Sequence, residues 1–448
     1  MLCTIYWEKT IIMLYCKKAA TRNAVIEHFE NHEINGVGKE MANGTIVWYK
    51  YNKYEEQYLT FVSQEDGTTF KFSGSSSSNL IQYSLDNGDT WSSLAHNTNS
   101  SAVNSGDTIM FKATGLTINS SSGIGQFSST GQFEAEGNVM SLHFGDSFSG
   151  QTSLAGKASA FTKLFSACTG LTTAKNMSFP ATTLSGSCYY YMFNGCTSLT
   201  TAPLLPATTL ATSCYRGMFR GCTSLTTVPE LPATTLANYC YAYMFAGCTN
   251  LTTAPVLPAT TLADRCYESM FAGCTSLTSA PELPAATLAN SGYSDMFSAC
   301  TSLITAPELP ATSLASNCYG GMFQGCTSLT TAPSALPATT LANCCYAYMF
   351  AGCTNLTTAP ELPATSLYTW CYYNMFSGCN SLNYVKCLAS TGMTNNFCLS
   401  NWLNGVASSG TFVKSPNATT GDTVGASQWA TGSTSGIPSG WEVQDATS

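Results

Sequence analysis

The chain is poor in charge. Asp, Glu, Lys and Arg make up only 9% of its 448 residues, against about a quarter in an ordinary soluble domain. Hydrophobic residues reach 44%, so the shortage is not that of a solvated, disordered chain. Ser, Thr, Asn and Gly carry the polarity, a mix that suits β-rich surfaces outside the cell or on a virion. Net charge is −8, and after Arg22 the only arginines are Arg216, Arg220 and Arg265. With no basic stripe, the pattern excludes nucleic acid as a partner. No run of 18 apolar residues occurs, so no transmembrane helix is expected. Histidine is scarce too: His28, His32, His96 and His143 show no metal-ligand spacing. No nucleophile elbow, phosphate-binding loop or dinucleotide fingerprint is present. The expectation is a protein that is not an enzyme, with no catalytic residues, no cofactor and no metal.

What the chain has in abundance is repetition. Cys222–Gly247 reads CTSLTTVPELPATTLANYCYAYMFAG, and Cys248–Gly273 reads CTNLTTAPVLPATTLADRCYESMFAG. The unit begins at Cys168, Cys196, Cys222, Cys248, Cys274, Cys300, Cys326 and Cys353; a ninth copy from Cys379 decays after Leu382. The period is 26, except 28 in the first unit and 27 in the one from Cys326. One such unit cannot bury its apolar face, but a stack of them makes a continuous core. In each, LTTAP reads as a strand with Leu199, Leu225, Leu251 and Leu277 inward. Proline at both ends of P-x-L-P stops it and turns the chain. Cys214, Met218 and Cys222 then recur at i, i+4, i+8, with Tyr215 and Phe219 beside them. That spacing predicts a short helix with Gly221 at its C-cap. Strand stacking would advance the coil by about 4.8 Å per unit.

The pattern M-F-x-G-C-x-x-L-T-x-A-P-x-L-P resembles the BspA-like leucine-rich repeats of bacterial surface proteins over about residues 160–385. The resemblance implies adhesion and surface display, with many different ligands. The unit is longer than the common family form, and Ala202, Ala254 and Ala280 take the mid-strand apolar position. The expected fold is mainly β with short helices: a right-handed solenoid of about eight 26-residue coils. The expected division is 1–56 an N-terminal extension, 57–150 a small antiparallel β domain, 151–385 the solenoid and 386–448 a β cap. Residues 1–40 carry ten charges and differ from the rest in composition. They read as an extension of the gene model, with the apolar run at 10–16 a poor signal-peptide core.

Twenty-one cysteines invite a disulfide reading. Within one helical repeat Cys214 and Cys222 would stand about 12 Å apart, too far to bridge. Pairing between coils stays open. Zinc is disfavoured by the x7 spacing and the lack of His. Small apolar core residues are the favoured reading; Cys344, Cys387 and Cys398 fall outside the ladder. In the β domain, strands are expected at YLTFVS, TTFKFSG, IQYSL, DTIMFKA, GQFEAEG and VMSLHFG. Ser84–Trp91 (SLDNGDTW) matches an Asp-box, read as a hairpin turn.

Positions that differ between near-identical copies single out a candidate binding stripe: Tyr190, Tyr191, Arg216, Tyr239, Tyr243, Arg265, Glu268, Trp370 and Tyr373. These residue types carry binding energy at interfaces, although neutral drift at exposed sites gives the same variability. Stacking should line them up as one stripe. A Thr ladder (Thr200–Thr201, Thr226–Thr227, Thr252–Thr253, Thr357–Thr358) should place one of each pair outward. The Glu register at Glu230, Glu282, Glu308 and Glu361 reads as an exposed edge. The expected function is binding of a protein or glycan ligand on a cell surface by an extracellular, cell-surface or virion-surface protein. A passive spacer and a phage tail or fibre component are the alternatives.

Overall fold

The structure is a computed structural model that describes residues 53–73, 81–114, 125–433 and 435–447, together with the backbone of four short strands ahead of them. Those four are β1 (Tyr6–Glu8), β2 (Ile11–Met13), β3 (Gly36–Glu40) and β4 (Ile46–Lys50), antiparallel in the order β1-β2-β4-β3. The apolar run at 10–16 thus contributes a strand. The remainder of residues 1–52, with Cys3, Cys16, His28 and His32, lies outside the described residues.

Alternating apolar residues next build β5 (Leu59–Ser63), β6 (Phe70–Ser73), β7 (Ile81–Ser84), β8 (Ser92–Leu94), β9 (Thr108–Lys112), β10 (Gln126–Ser129) and β11 (Phe133–Asn138). VMSLHFG, expected as a strand, instead holds a one-turn helix at Ser141–Phe144; β8 and β10 were not anticipated. Phe61 lies within 5.7 Å, centroid to centroid, of Phe70, Phe111, Phe127, Phe133 and Phe165. The sheet is not purely antiparallel. β11 pairs in parallel with β12 (Leu171–Ser178), which belongs to the first repeat, giving the order β12-β11-β5-β9-β7-β8. The residues before the repeats therefore cover the first coil by main-chain pairing as well as by packing.

Beyond β12 the repeats depart from expectation in two ways. LTTAP forms no continuous strand. Single parallel bridges join successive copies, as Thr173↔Thr201, Thr201↔Thr227 and Ser279↔Thr305, because two prolines, Pro203 and Pro206 in one copy, remove ladder donors just after the segment. Both Thr226 and Thr227, and both Thr252 and Thr253, are exposed, so the one-in, one-out alternation of a pleated strand does not hold there. Leu199, Leu225, Leu251 and Leu277 are fully buried as expected.

The C-Y-x-x-M-F-x-G-C segment is not a helix. It is a ribbon of overlapping turns. Alternate N–H groups bond locally: those of Cys214, Arg216, Met218, Arg220 and Cys222 donate to the carbonyls three residues back, at 3.1–3.3 Å. The N–H groups between them donate to the next coil: Ser213 to Asn238, Tyr215 to Cys240, Gly217 to Ala242, Phe219 to Met244 and Gly221 to Ala246, at 2.8–3.0 Å. Ser213, Gly217 and Gly221 have φ of 55°, 60° and 71°, the left-handed value wanted at the third residue of a type II turn. The left-handed residue thus recurs every four positions. This period, not 3.6, puts Cys214, Met218 and Cys222 on one side.

Inside, equivalent rings stack. Phe161, Tyr189, Tyr215, Tyr241, Tyr267, Tyr293, Tyr319, Tyr346 and Tyr372 form one column, ending on Trp402. A parallel Phe column runs from Phe165 to Phe376. Centroids repeat at 5.3 Å (Phe165–Phe193) to 6.2 Å (Tyr346–Tyr372), wider than the spacing expected from strand stacking. Each such contact is worth about 0.5–1.5 kcal/mol beyond area burial. At the far end β13 (Tyr384–Cys387), β14 (Gly410–Lys414) and β17 (Trp441–Asp445) pair in parallel, beside the two-stranded pair β15 (Thr419–Gly421) and β16 (Gln428–Ala430). Trp429 stacks on Trp402 at 5.5 Å. The described repeat cysteines, Cys387 and Cys398 are buried, whereas Cys344 is half-buried.

Candidate functional site

The turn ribbon determines where the variable residues stand. Tyr239, Arg265 and Trp370 occupy the first left-handed position of their ribbons (φ 59°, 54° and 58°), and Tyr191 and Tyr243 the second (φ 52° and 59°). Tyr190, Arg216, Glu268 and Tyr373 are the residues just before the second position. A left-handed backbone costs a residue with a Cβ roughly 1–2 kcal/mol. Glycine, Asn or Ser fills the same register elsewhere, at Gly217, Ser269, Asn317 and Asn374. Arg265 is exposed and the other eight candidates are half-buried.

Two groups form rather than one stripe. In the first, Tyr190 and Tyr191 meet edge to face at 4.5 Å. The Tyr191 ring lies over Gly217, where a Cβ would approach it to 2.8 Å. The Arg216 guanidinium stands 4.8 Å from the Tyr239 ring centre and 5.6 Å from that of Tyr243. Arg265 covers the same Tyr239 ring at 5.6 Å and pairs with Glu268 at 3.5 Å. Burial pushes the Glu268 carboxyl above the usual range, and Arg265 and Arg216 oppose it. The phenol of Tyr243 is raised by burial, then by Glu268.

In the second group Trp370 meets Tyr373 at 4.7 Å and Phe397 at 4.9 Å, and Tyr373 meets Tyr348 at 5.1 Å. Phe397 and Tyr348 are exposed. Between the groups the coils carry Ser291, Ser294, Asp295, Asn317, Gly320 and Gly321 at the equivalent positions, so the aromatic row is interrupted. Tyr348 and Phe397 were missed on sequence. Tyr348 holds the register of Tyr191 and Tyr243 and was legible from the same internal comparison. Phe397 sits where the repeat has decayed. Arg220 and Lys163, also missed, flank a depression of about 370 Å³ at the start of the repeats.

The other candidate features behave as structure. Ser84 Oγ donates to Asp86 Oδ1 (2.7 Å) and accepts from the Gly88 N–H (2.8 Å), while Asp86 accepts from the Thr90 N–H and hydroxyl. These bonds, the Thr90 hydroxyl first, hold the Asp86 carboxyl down at about 2. The Asp-box is a self-satisfied turn between β7 and β8. Glu230, Glu282 and Glu308 are exposed; Glu230 lines a second depression of about 630 Å³ with Pro229, Leu231, Pro255 and Val256. Among the described residues no His, Cys, Asp and Glu cluster could hold a metal ion, and no helix is long and apolar enough to cross a membrane.

No curated protein matches the chain. Among solved structures a leucine-rich repeat protein from Bacteroides ovatus ATCC 8483 matches at 15% identity, covering 64% of this chain and 86% of that one, with a TM-score of 0.19 that is too low to carry a fold argument. The family model of the BspA type leucine rich repeat region matches residues 161–278 and 264–383, in six copies. Residues 161–383 are thus a BspA-type leucine-rich-repeat region.

Proposed function

We propose that this chain is a non-enzymatic binding protein displayed at a cell or virion surface, and that the ribbon face recognises a protein or glycan on another cell. The carrying observation is the placement of Tyr191, Tyr239, Tyr243, Arg265 and Trp370 at left-handed positions. Gly or Asn would be conformationally cheaper there, and the core does not need these side chains. In this reading residues 57–150 cover one end of the solenoid at 151–385 and residues 386–448 the other. The continuous aromatic columns support that organisation. Glycan arrays and panels of cells and matrix proteins, probed with the full chain, test the reading. Saturable binding that survives bovine albumin competition is expected; no binding on any panel overturns it.

A passive spacer is the second reading. It is favoured by the small side chains between Ser291 and Gly321 on the same face, which leave two coils with nothing large to offer a ligand.

A further inference from the structure

The described arginines are Arg216, Arg220 and Arg265. All lie on the ribbons of two coils, in a chain of net charge −8. Arg265 has a carboxylate partner, but Arg220 and Lys163 take part in none of the ion pairs among the described residues. Both line the depression of about 370 Å³, with Gln126 of β10, Ser166, Asn194, Tyr190 and Tyr191. No carboxylate lines it. The ribbon builds this site. The Lys163 N–H bonds the Tyr190 carbonyl (2.8 Å) and the Gly195 N–H bonds that of Arg220 (2.7 Å), so three coils hold their side chains in fixed register.

We infer that this depression binds a carboxylate-bearing sugar residue of an acidic glycan, a uronic or sialic acid. Two cations outside the ion pairs of the described residues, Arg220 also standing 5.9 Å from the Tyr243 ring centre, answer one carboxylate, and a guanidinium takes it in two parallel hydrogen bonds. Two amides and a hydroxyl offer both donors and acceptors, as a ring of hydroxyls requires. The volume is near the lower end of small-molecule sites, about 300–1,000 Å³, so it admits one or two sugar rings and not a folded loop. The inference rests on the proposed role of the ribbon face and names one ligand class for one end of it.

The test titrates the full chain with sodium glucuronate, glucose and a Glu-Gly-Glu tripeptide, by calorimetry and saturation-transfer NMR. Glucuronate is expected to bind at least about tenfold more tightly than glucose and to weaken in 0.5 M NaCl, since exposed charges are screened. The double variant Lys163→Gln/Arg220→Gln should lose at least about tenfold of this affinity with an unchanged melting temperature, and Lys175→Gln, which removes an exposed cation of β12 outside the depression, should lose none. Equal binding of glucuronate and glucose, no binding of either, or an unaffected double variant overturns the inference. So does the tripeptide matching glucuronate, which would make this an acidic-peptide site. An array ligand still bound by the double variant, with no glucuronate binding to wild type, removes this inference and leaves the broader function standing. Glucuronate binding with silent arrays does the reverse.

Discussion

The Cys222 thiol donates to the Phe193 carbonyl of the preceding coil at 3.1 Å. The same bond joins Cys196 to Phe165, Cys248 to Phe219, Cys274 to Phe245, Cys300 to Phe271, Cys326 to Phe297, Cys353 to Phe323 and Cys379 to Phe350, at 2.9–3.1 Å. Cysteine is therefore more than a small hydrophobe at this position. It fills the space and also supplies one weak donor to a buried carbonyl.

Two consequences follow for the thiols. Cys222→Ala should destabilise the chain by about 1–2 kcal/mol, from the lost contact volume and the lost donor, measured by denaturant unfolding. Burial also pushes the ladder thiols up, Cys274 and Cys326 to about 12, so the thiolate is scarce and shielded. A short iodoacetamide pulse on native protein, mapped by mass spectrometry, should label Cys344 before any other described cysteine. Denaturation without reductant should expose the rest. Ladder cysteines that stay unlabelled after denaturation would mean disulfides.

The left-handed register makes a paired prediction. At Gly221 an added Cβ would stand 3.8 Å from Gly195, an ordinary contact, so Gly221→Ala tests conformation and not sterics. It should cost about 1 kcal/mol. Ser213→Gly, at φ 55°, should stabilise or be neutral within about 0.5 kcal/mol. A helix capped by Gly221 would also lose stability on Gly221→Ala, so Ser213→Gly separates the two: at a helix N-cap glycine is a few tenths of a kcal/mol worse than serine.

His143 makes the junction between the N-terminal sheet and the first coil sensitive to pH. It is 6% exposed and packs on Phe161 at 5.4 Å, and neither ring nitrogen has a hydrogen-bond partner. Burial, then the Lys157 charge, lowers it from 6.5 to about 4. Between those values the unfolded chain binds a proton that the native chain refuses. Stability is thus full above about pH 6.5 and falls as pH drops toward 4, by on the order of 3 kcal/mol if one state unfolds. His143→Phe should flatten this limb of the profile in urea titrations from pH 7 to 4.

The repeat, its buried Leu, Tyr, Phe and Cys positions and the β content were legible because identical copies reveal their period directly. The helix was misread for a definite reason. Over the nine residues Cys214–Cys222, periods of 3.6 and 4 place nearly the same residues inward. Gly217 and Gly221 at an interval of four are the local signal for a turn ribbon, whereas Gly221 alone reads as a helix cap. Leu-Thr-Thr-Ala has β composition, but the two prolines that follow it remove the ladder, so the expected strand does not form. The split of the variable residues into two groups follows from small residues in the coils at Ser291 and Asn317, which were visible but were not compared. Arg220 and Lys163 escaped because the depression they line also needs Gln126 from β10, a long-range neighbour that no repeat alignment brings near.

The most direct test of the account is the double variant Trp370→Ala/Tyr373→Ala, compared with wild type for attachment to whichever array ligand binds and for thermal unfolding. Both side chains are half-buried on the ribbon face and touch each other, Tyr348 and Phe397 rather than the inner columns. The account predicts attachment weakened by at least about tenfold and a melting temperature within about 3 °C of wild type. A variant that unfolds early would show these residues to be packing, and one that is stable and attaches like wild type would remove this part of the ribbon face from recognition.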